Sequence, residues 1–184
     1  GDAMTVLAFC REAMTLVGER FERAEYFLPE LVFAGEILNQ IAEMVKPHIQ
    51  PGGQDGNGYR AEVLIGTVQG DLHNIGKNIV TFMLEVNDMK VHDLGIDVRV
   101  ERFVQAIQEH KPDVVGLSGF LTVAFDAMRE TIGAIEKAGL RDQVKIMIGG
   151  GMVDDHIRAY TGADAYGRDA MAAVSLVEQW IRKE

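Results

Sequence analysis

Over the last two thirds of the chain, short apolar runs alternate with longer amphipathic stretches, and this rhythm narrows the possible folds more than any other feature. The runs are 61–68 (AEVLIGTV), 89–94 (MKVHDL), 113–117 (DVVGL), 144–148 (VKIMI) and 163–166 (ADAY). They are rich in Val, Ile and Leu without strict alternation of apolar and polar residues, the pattern of strands buried on both faces. Strands joined by helical crossovers pair in parallel. The stretch therefore predicts an α/β fold, a flavodoxin-like or Rossmann-like five-stranded parallel sheet with helices on both sides. About 125 residues suit such a doubly wound domain. Ligands bind beyond the carboxyl ends of its strands, which directs attention to 69–76, 95–98, 118–122, 149–152 and 166–169.

The first 50 residues read differently. From Met4 to Gly18, the apolar Val6, Leu7, Phe9, Met14, Leu16 and Val17 recur at spacings nearer 3.6 than 2, which predicts an amphipathic helix. A second helix follows, with Pro29 in its first turn, Glu30 at its positive end, and Leu31, Val32, Ile37, Leu38, Ile41 and Met44 as its apolar face. Residues 47–59 (PHIQPGGQDGNGY) hold two prolines and four glycines, a composition that breaks regular structure. The expected organisation is a helical cap domain at 1–50, a linker at 51–59 and the α/β domain at 60–184.

Charge and composition remove several classes of function. A formal net charge of −10 disfavours a partner held through its phosphate backbone, so nucleic acid is not expected. The single cysteine, Cys10, allows no intramolecular disulfide and no cysteine-rich zinc site, and it reads as a small apolar residue on a helix face. No run approaches the roughly 18 apolar residues of a membrane span, and the start lacks the order of a signal peptide, so a cytoplasmic protein without a membrane partner is expected.

The first carboxyl-end loop reads Gln69-Gly70-Asp71-Leu72-His73-Asn74-Ile75-Gly76-Lys77-Asn78. It sets a carboxylate two residues before an imidazole at the mouth of the sheet, and such a carboxylate fixes the tautomer of a ligating histidine and raises its basicity. Two nucleotide-site readings fail. Five residues separate Gly70 from Gly76 where a phosphate loop has four, Asn78 stands where its Ser or Thr should be, and no GxGxxG occurs. His48, His92, His110 and His156 form no spaced metal set and read as linker, strand and helix residues. The nine methionines read as adaptable core filler.

DxHxxG after a first strand resembles the signature of the B12-binding domain family. Three elements carry the likeness: GDLHNIGKNIV at 70–80, GLSGFLT at 116–122 and IGGG at 148–151, each at a predicted strand end. VGERFERAEYFLPELVFAGEI at 17–37 is similar to the helical cap of methionine synthase and of the small corrinoid proteins of methyltransferase systems, so the resemblance spans nearly the whole chain.

The resemblance implies a cobalamin or related corrinoid bound base-off and histidine-on, with His73 as lower axial ligand to cobalt and Asp71 orienting it and sharing its proton. Gln69, Gly70, Leu72, Asn74 and Ile75 complete the loop against the cofactor. Gly76, Gly149, Gly150 and Gly151 would let the displaced nucleotide tail approach the backbone. Ser118 and Thr122 would offer hydroxyls, and Phe120 and Leu121 would pack near the tail. Asp169 and Ala170 would edge the site, Asp169 chiefly capping the last helix, 169–183. Phe27 and Leu28 would bring the cap over the upper face. Two features depart from the family's pattern. Ser118-Gly119-Phe120 has Leu121 one place late for its SxL element, and Ala124 stands where methionine synthase completes an Asp-His relay with serine, which leaves Asp71 alone to tune His73. The cap has two helices where four are usual, so it is reduced or N-terminally incomplete.

The function implied is methyl carriage: the corrinoid accepts a methyl group from a donor-specific methyltransferase subunit and passes it to an acceptor methyltransferase of the tetrahydrofolate or coenzyme M type. A reductive activation protein would keep the cobalt serviceable. The donor would be methanol, a methylamine, a betaine or a methoxylated aromatic. Two alternatives are a B12-dependent sensor, for which no DNA-binding segment is visible, and the small subunit of an adenosylcobalamin mutase, which needs an adenosyl pocket and a barrel partner.

Overall fold

The computed structural model describes residues 3–45, 59–85, 87–151 and 153–182. The predicted linker lies outside these residues except for Tyr59, as does His48. The chain divides into two units, Gly1–Tyr59 and Arg60–Glu184.

In the first unit, helices α1 (Ala3–Glu22) and α2 (Leu28–Val45) pack against each other. The first helix runs past Gly18, because one interior glycine costs only about 1 kcal/mol and Glu19 and Arg20 are good helix formers. It ends where Ala24 adopts a left-handed φ of 57°. Phe27 N–H donates to Glu30 Oε2 at 2.9 Å, so the acidic residue three places on closes the entry to α2. Cys10 is buried, and burial pushes its thiol pKa up.

In the second unit, five strands alternate with five helices: β1 (Ala61–Thr67), α3 (Ile75–Glu85), β2 (Met89–Asp93), α4 (Val100–His110), β3 (Val114–Ser118), α5 (Thr122–Lys137), β4 (Lys145–Gly149), α6 (Asp155–Thr161), β5 (Ala165–Gly167) and α7 (Ala170–Ile181). All pairings are parallel, in the order β2-β1-β3-β4-β5. Leu64, Val115, Leu117, Ile146 and Ile148 form one face of the core with Phe103 of α4 and Met128 and Ile135 of α5. The alternate positions Val63, Ile65 and Val114 are equally buried and serve the face covered by α3 and α7, which pack together. Burial on both faces is why these strands read as unbroken apolar runs.

Several expected boundaries move by a residue or more, among them those of the last strand and the last helix. The last strand is Ala165–Gly167 rather than 163–166, because the Asp164 carboxylate accepts from Ile146 N–H at 2.7 Å and holds the preceding turn. The last helix begins at Ala170, with Asp169 outside it accepting from Ala172 N–H at 2.7 Å as N-cap.

The chain leaves β1 for β2 at one edge and returns to β3 on the other side of β1. That reversal opens a crevice between the carboxyl ends of β1 and β3, where ligands settle in open α/β sheets.

Candidate functional site

Asp71 and His73 lie in the loop that fills this crevice, between β1 and the first turn of α3. The two have opposite exposures. Asp71 is wholly buried, while the side chain of His73 is 54% exposed. The loop is braced from three directions. Thr67 Oγ1 donates to the carbonyl of His73 at 3.0 Å. Gly70, with φ of 82°, donates its N–H to Asp97 Oδ1 at 2.7 Å, a turn that L side chains rarely adopt. Asp97 N–H in turn donates to the carbonyl of Asp71 at 3.1 Å.

The Asp71 carboxylate gathers four donors. Its Oδ1 accepts from His73 N–H at 2.9 Å and lies 2.7 Å from His73 Nδ1. Its Oδ2 accepts from the N–H groups of Phe120 at 2.6 Å and Leu121 at 3.0 Å. Leu121 is the N-cap of α5 and makes no side-chain cap, so the carboxylate of the β1 loop serves the positive end of that helix from across the crevice. Burial alone would raise the pKa of this carboxyl. The N–H groups of His73, Leu121 and Phe120, with the His73 ring, outweigh it and hold Asp71 well below the ordinary carboxylate range. An ionised Asp71 requires Nδ1 to carry hydrogen, so neutral His73 keeps its lone pair on Nε2, which has no partner among the described residues.

The expected relay residue is absent in chemistry and in place, since Ala124 is buried in the core. What holds Asp71 instead is the main chain of Phe120 and Leu121. The ring of Phe120 also reaches His73, with centroids 4.7 Å apart and planes inclined by 33°. Gly119 permits this course, since a Cβ there would lie 2.6 Å from that of Ala124.

The glycines after β4 are explained in part by the protein itself. A Cβ on Gly150 would sit 1.8 Å from the carbonyl oxygen of Gly119, and one on Gly151 would sit 2.4 Å from the ring of Phe120. Gly76 has open space where a Cβ would be, and Gly149 has only the Gly167 carbonyl oxygen, at 3.6 Å. Leu72 is 66% exposed beside His73, Gln69 and Asn74 are exposed on the same loop, and Thr122 is exposed at the start of α5. Ser118 closes β3, where its carbonyl accepts from Val68 N–H at 2.9 Å. Ile75 opens α3. No described contact joins Asp169 or Ala170 to Asp71 or His73. Phe27, 64% exposed, and Leu28 belong to the other unit.

Thr67 and Asp97 were not among the sequence candidates. Asp97 was within reach, since 95–98 is a carboxyl-end loop. The amides of Phe120 and Leu121 were not, because every residue but proline has one. Lys77 is buried and pairs with Asp93, tying α3 to β2. His92 bonds Glu62 at 2.8 Å and stacks on His110 at 4.0 Å, away from the loop.

Among the described residues, no group of three or more His, Cys, Asp or Glu could hold a bare metal ion. One exposed imidazole, held in a fixed tautomer by a buried carboxylate, instead fits a metal that brings its other ligands in a macrocycle.

A family model described as a B12 binding domain matches residues 61–175, and a second of the same description matches 3–46. The trimethylamine corrinoid protein 1 of Methanosarcina acetivorans is 38% identical over 164 residues, covering 89% of this chain and 76% of that one. The dimethylamine corrinoid protein 3 of Methanosarcina mazei is 35% identical over 168 residues, covering 91% and 99%. A solved cobalamin-binding protein of Desulfitobacterium hafniense superposes with a TM-score of 0.76 at 40% identity, covering 97% of this chain and 82% of that one.

Proposed function

The chain belongs to the B12-binding domain family, and from that membership we propose that it carries a corrinoid on His73 and serves as the methyl carrier between two methyltransferases. The observation that carries the reading is the Asp71–His73 pair at the switch point, a buried carboxylate on Nδ1 and an available Nε2.

When bound, the corrinoid supplies a cobalt that takes up a methyl group and gives it up again. The protein's part is ligation and access. His73 Nε2 would hold the cobalt from below, base-off and histidine-on. Asp71 keeps the ring turned and enriches Nε2 with electron density through the charged hydrogen bond at Nδ1. The loop residues from Gln69 to Gly76 and the hydroxyls of Ser118 and Thr122 would meet the ring and its tail, with Gly149 and the open side of Gly76 giving the tail room. For the helical unit, which carries Phe27 and Leu28, the family resemblance supports a shielding role. Domains at 1–50 and 60–184 would thus divide cover from ligation.

The partners we propose are a donor-specific methyltransferase subunit, an acceptor methyltransferase of the tetrahydrofolate or coenzyme M type, and a reductive activation protein. The names of the relatives favour a methylamine as donor. Among the described residues no helix is long and apolar enough to cross a membrane; a cytoplasmic location is part of the same proposal.

The test is gel filtration of the protein with hydroxocobalamin, then incubation of the reduced complex with isotope-labelled dimethylamine or trimethylamine and the matching methyltransferase. The reading predicts one corrinoid per chain and label on the bound corrinoid. Absence of bound corrinoid would overturn it; binding without labelling from either amine would overturn the donor class alone.

A further inference from the structure

Phe120 touches both members of the Asp71–His73 pair. Its N–H donates to Asp71 Oδ2 at 2.6 Å, and its ring lies against the imidazole of His73 with centroids 4.7 Å apart. The ring is not there to fill the core, since Phe120 is 46% exposed. One edge of the ring lies beside Gly151, where an added Cβ would sit 2.4 Å from Cε2 and 2.8 Å from Cδ2. An imidazole held at Nδ1 by one hydrogen bond can still rock about that bond. A ring tilted against it, itself beside a glycine of the β4–α6 loop, would limit that freedom.

We propose that Phe120 is a positioning residue for His73, holding the imidazole plane in the orientation that presents Nε2 as a ligand, with Gly151 as the seat that keeps the ring in place. The assignment rests on His73 being the axial ligand proposed above. It gives the aromatic residue in Ser118-Gly119-Phe120 a role separate from any contact with the nucleotide tail.

An aromatic contact of this kind changes an equilibrium by roughly 2- to 10-fold. The experiment compares wild type, Phe120→Leu, Phe120→Tyr and Gly151→Ala, each loaded with hydroxocobalamin, at one pH. The visible spectrum reads the ratio of histidine-on to base-off cofactor, and the ring proton shifts of His73 are recorded by NMR in the unloaded proteins. Phe120→Leu should lower the histidine-on ratio of the bound cofactor by that factor and should move the His73 ring shifts. Phe120→Tyr should restore both, and Gly151→Ala, which leaves Phe120 in place but displaces its ring, should reproduce the loss. An unchanged ratio and unchanged shifts in Phe120→Leu would overturn the proposal. If wild type bound no corrinoid, the function proposed above would fall, while the shifts in the unloaded proteins would still report whether Phe120 orders His73.

Discussion

Replacing Asp71 by alanine would leave the N–H groups of His73, Phe120 and Leu121 in the crevice without their acceptor and His73 without its tether. Stranded donors of this kind cost the desolvation of each group, so Asp71→Ala should lose roughly 2–4 kcal/mol in urea unfolding. Asp71→Asn should lose less, because its amide oxygen still accepts. The pH dependence follows from the depressed carboxyl pKa. Below about pH 4 the unfolded chain protonates this carboxyl while the folded protein does not, so stability present at neutral pH declines as the solution is acidified. In Asp71→Asn that part of the acid limb should vanish, as unfolding free energies measured between pH 3 and 7 would show. The Asp71–His73 hydrogen bond was legible in the sequence through the DxHxxG resemblance, which singled the pair out. A carboxylate two residues from a histidine at a strand end pointed to the pair. Its anchoring came from backbone amides across the crevice, which no residue type announces, and its ring contact came from the course of a loop that only Gly119 allows.

At the level of elements, the strand-to-helix loops are held together by close backbone approach. Gly150 has φ of 144° and its missing side chain leaves room for the carbonyl of Gly119, so Gly150→Ala meets both an unfavourable backbone and a collision. A loss of roughly 2–4 kcal/mol in thermal unfolding is expected. Asp169→Ala removes the N-cap of α7 and should cost about 1 kcal/mol, with Asp169→Asn recovering most of it. The five strands were readable because burial on both faces leaves long apolar runs, and the helices because their apolar stripes repeat near 3.6. The ends were less so. Asp164 reads as part of a strand until its carboxylate is seen holding the Ile146 amide, and Gly18 reads as a helix stop although α1 passes through it. The triple glycine at 149–151 drew attention as a cradle for a ligand, whereas two of its members face the protein's own Gly119 and Phe120.

For the whole molecule, the proposed ligation falls to Arg60–Glu184, in which every described hydrogen bond around Asp71 and His73 is made. The segment 60–184 produced alone should therefore still bind cobalamin, with affinity within about tenfold of the full chain, as titration by visible absorption would show; loss of all binding would place part of the site in the helical unit. The family's composition was readable from three motifs at strand ends, while the methyl donor left no mark on any residue. Corrinoid ligation as proposed depends on one atom, Nε2 of His73. The measurement to make is the visible spectrum of hydroxocobalamin bound to wild type and to His73→Ala, with free cobalamin as reference. Ligation by His73 predicts a protein-bound, histidine-on spectrum that becomes base-off in the variant. A variant spectrum identical to that of wild type would contradict it.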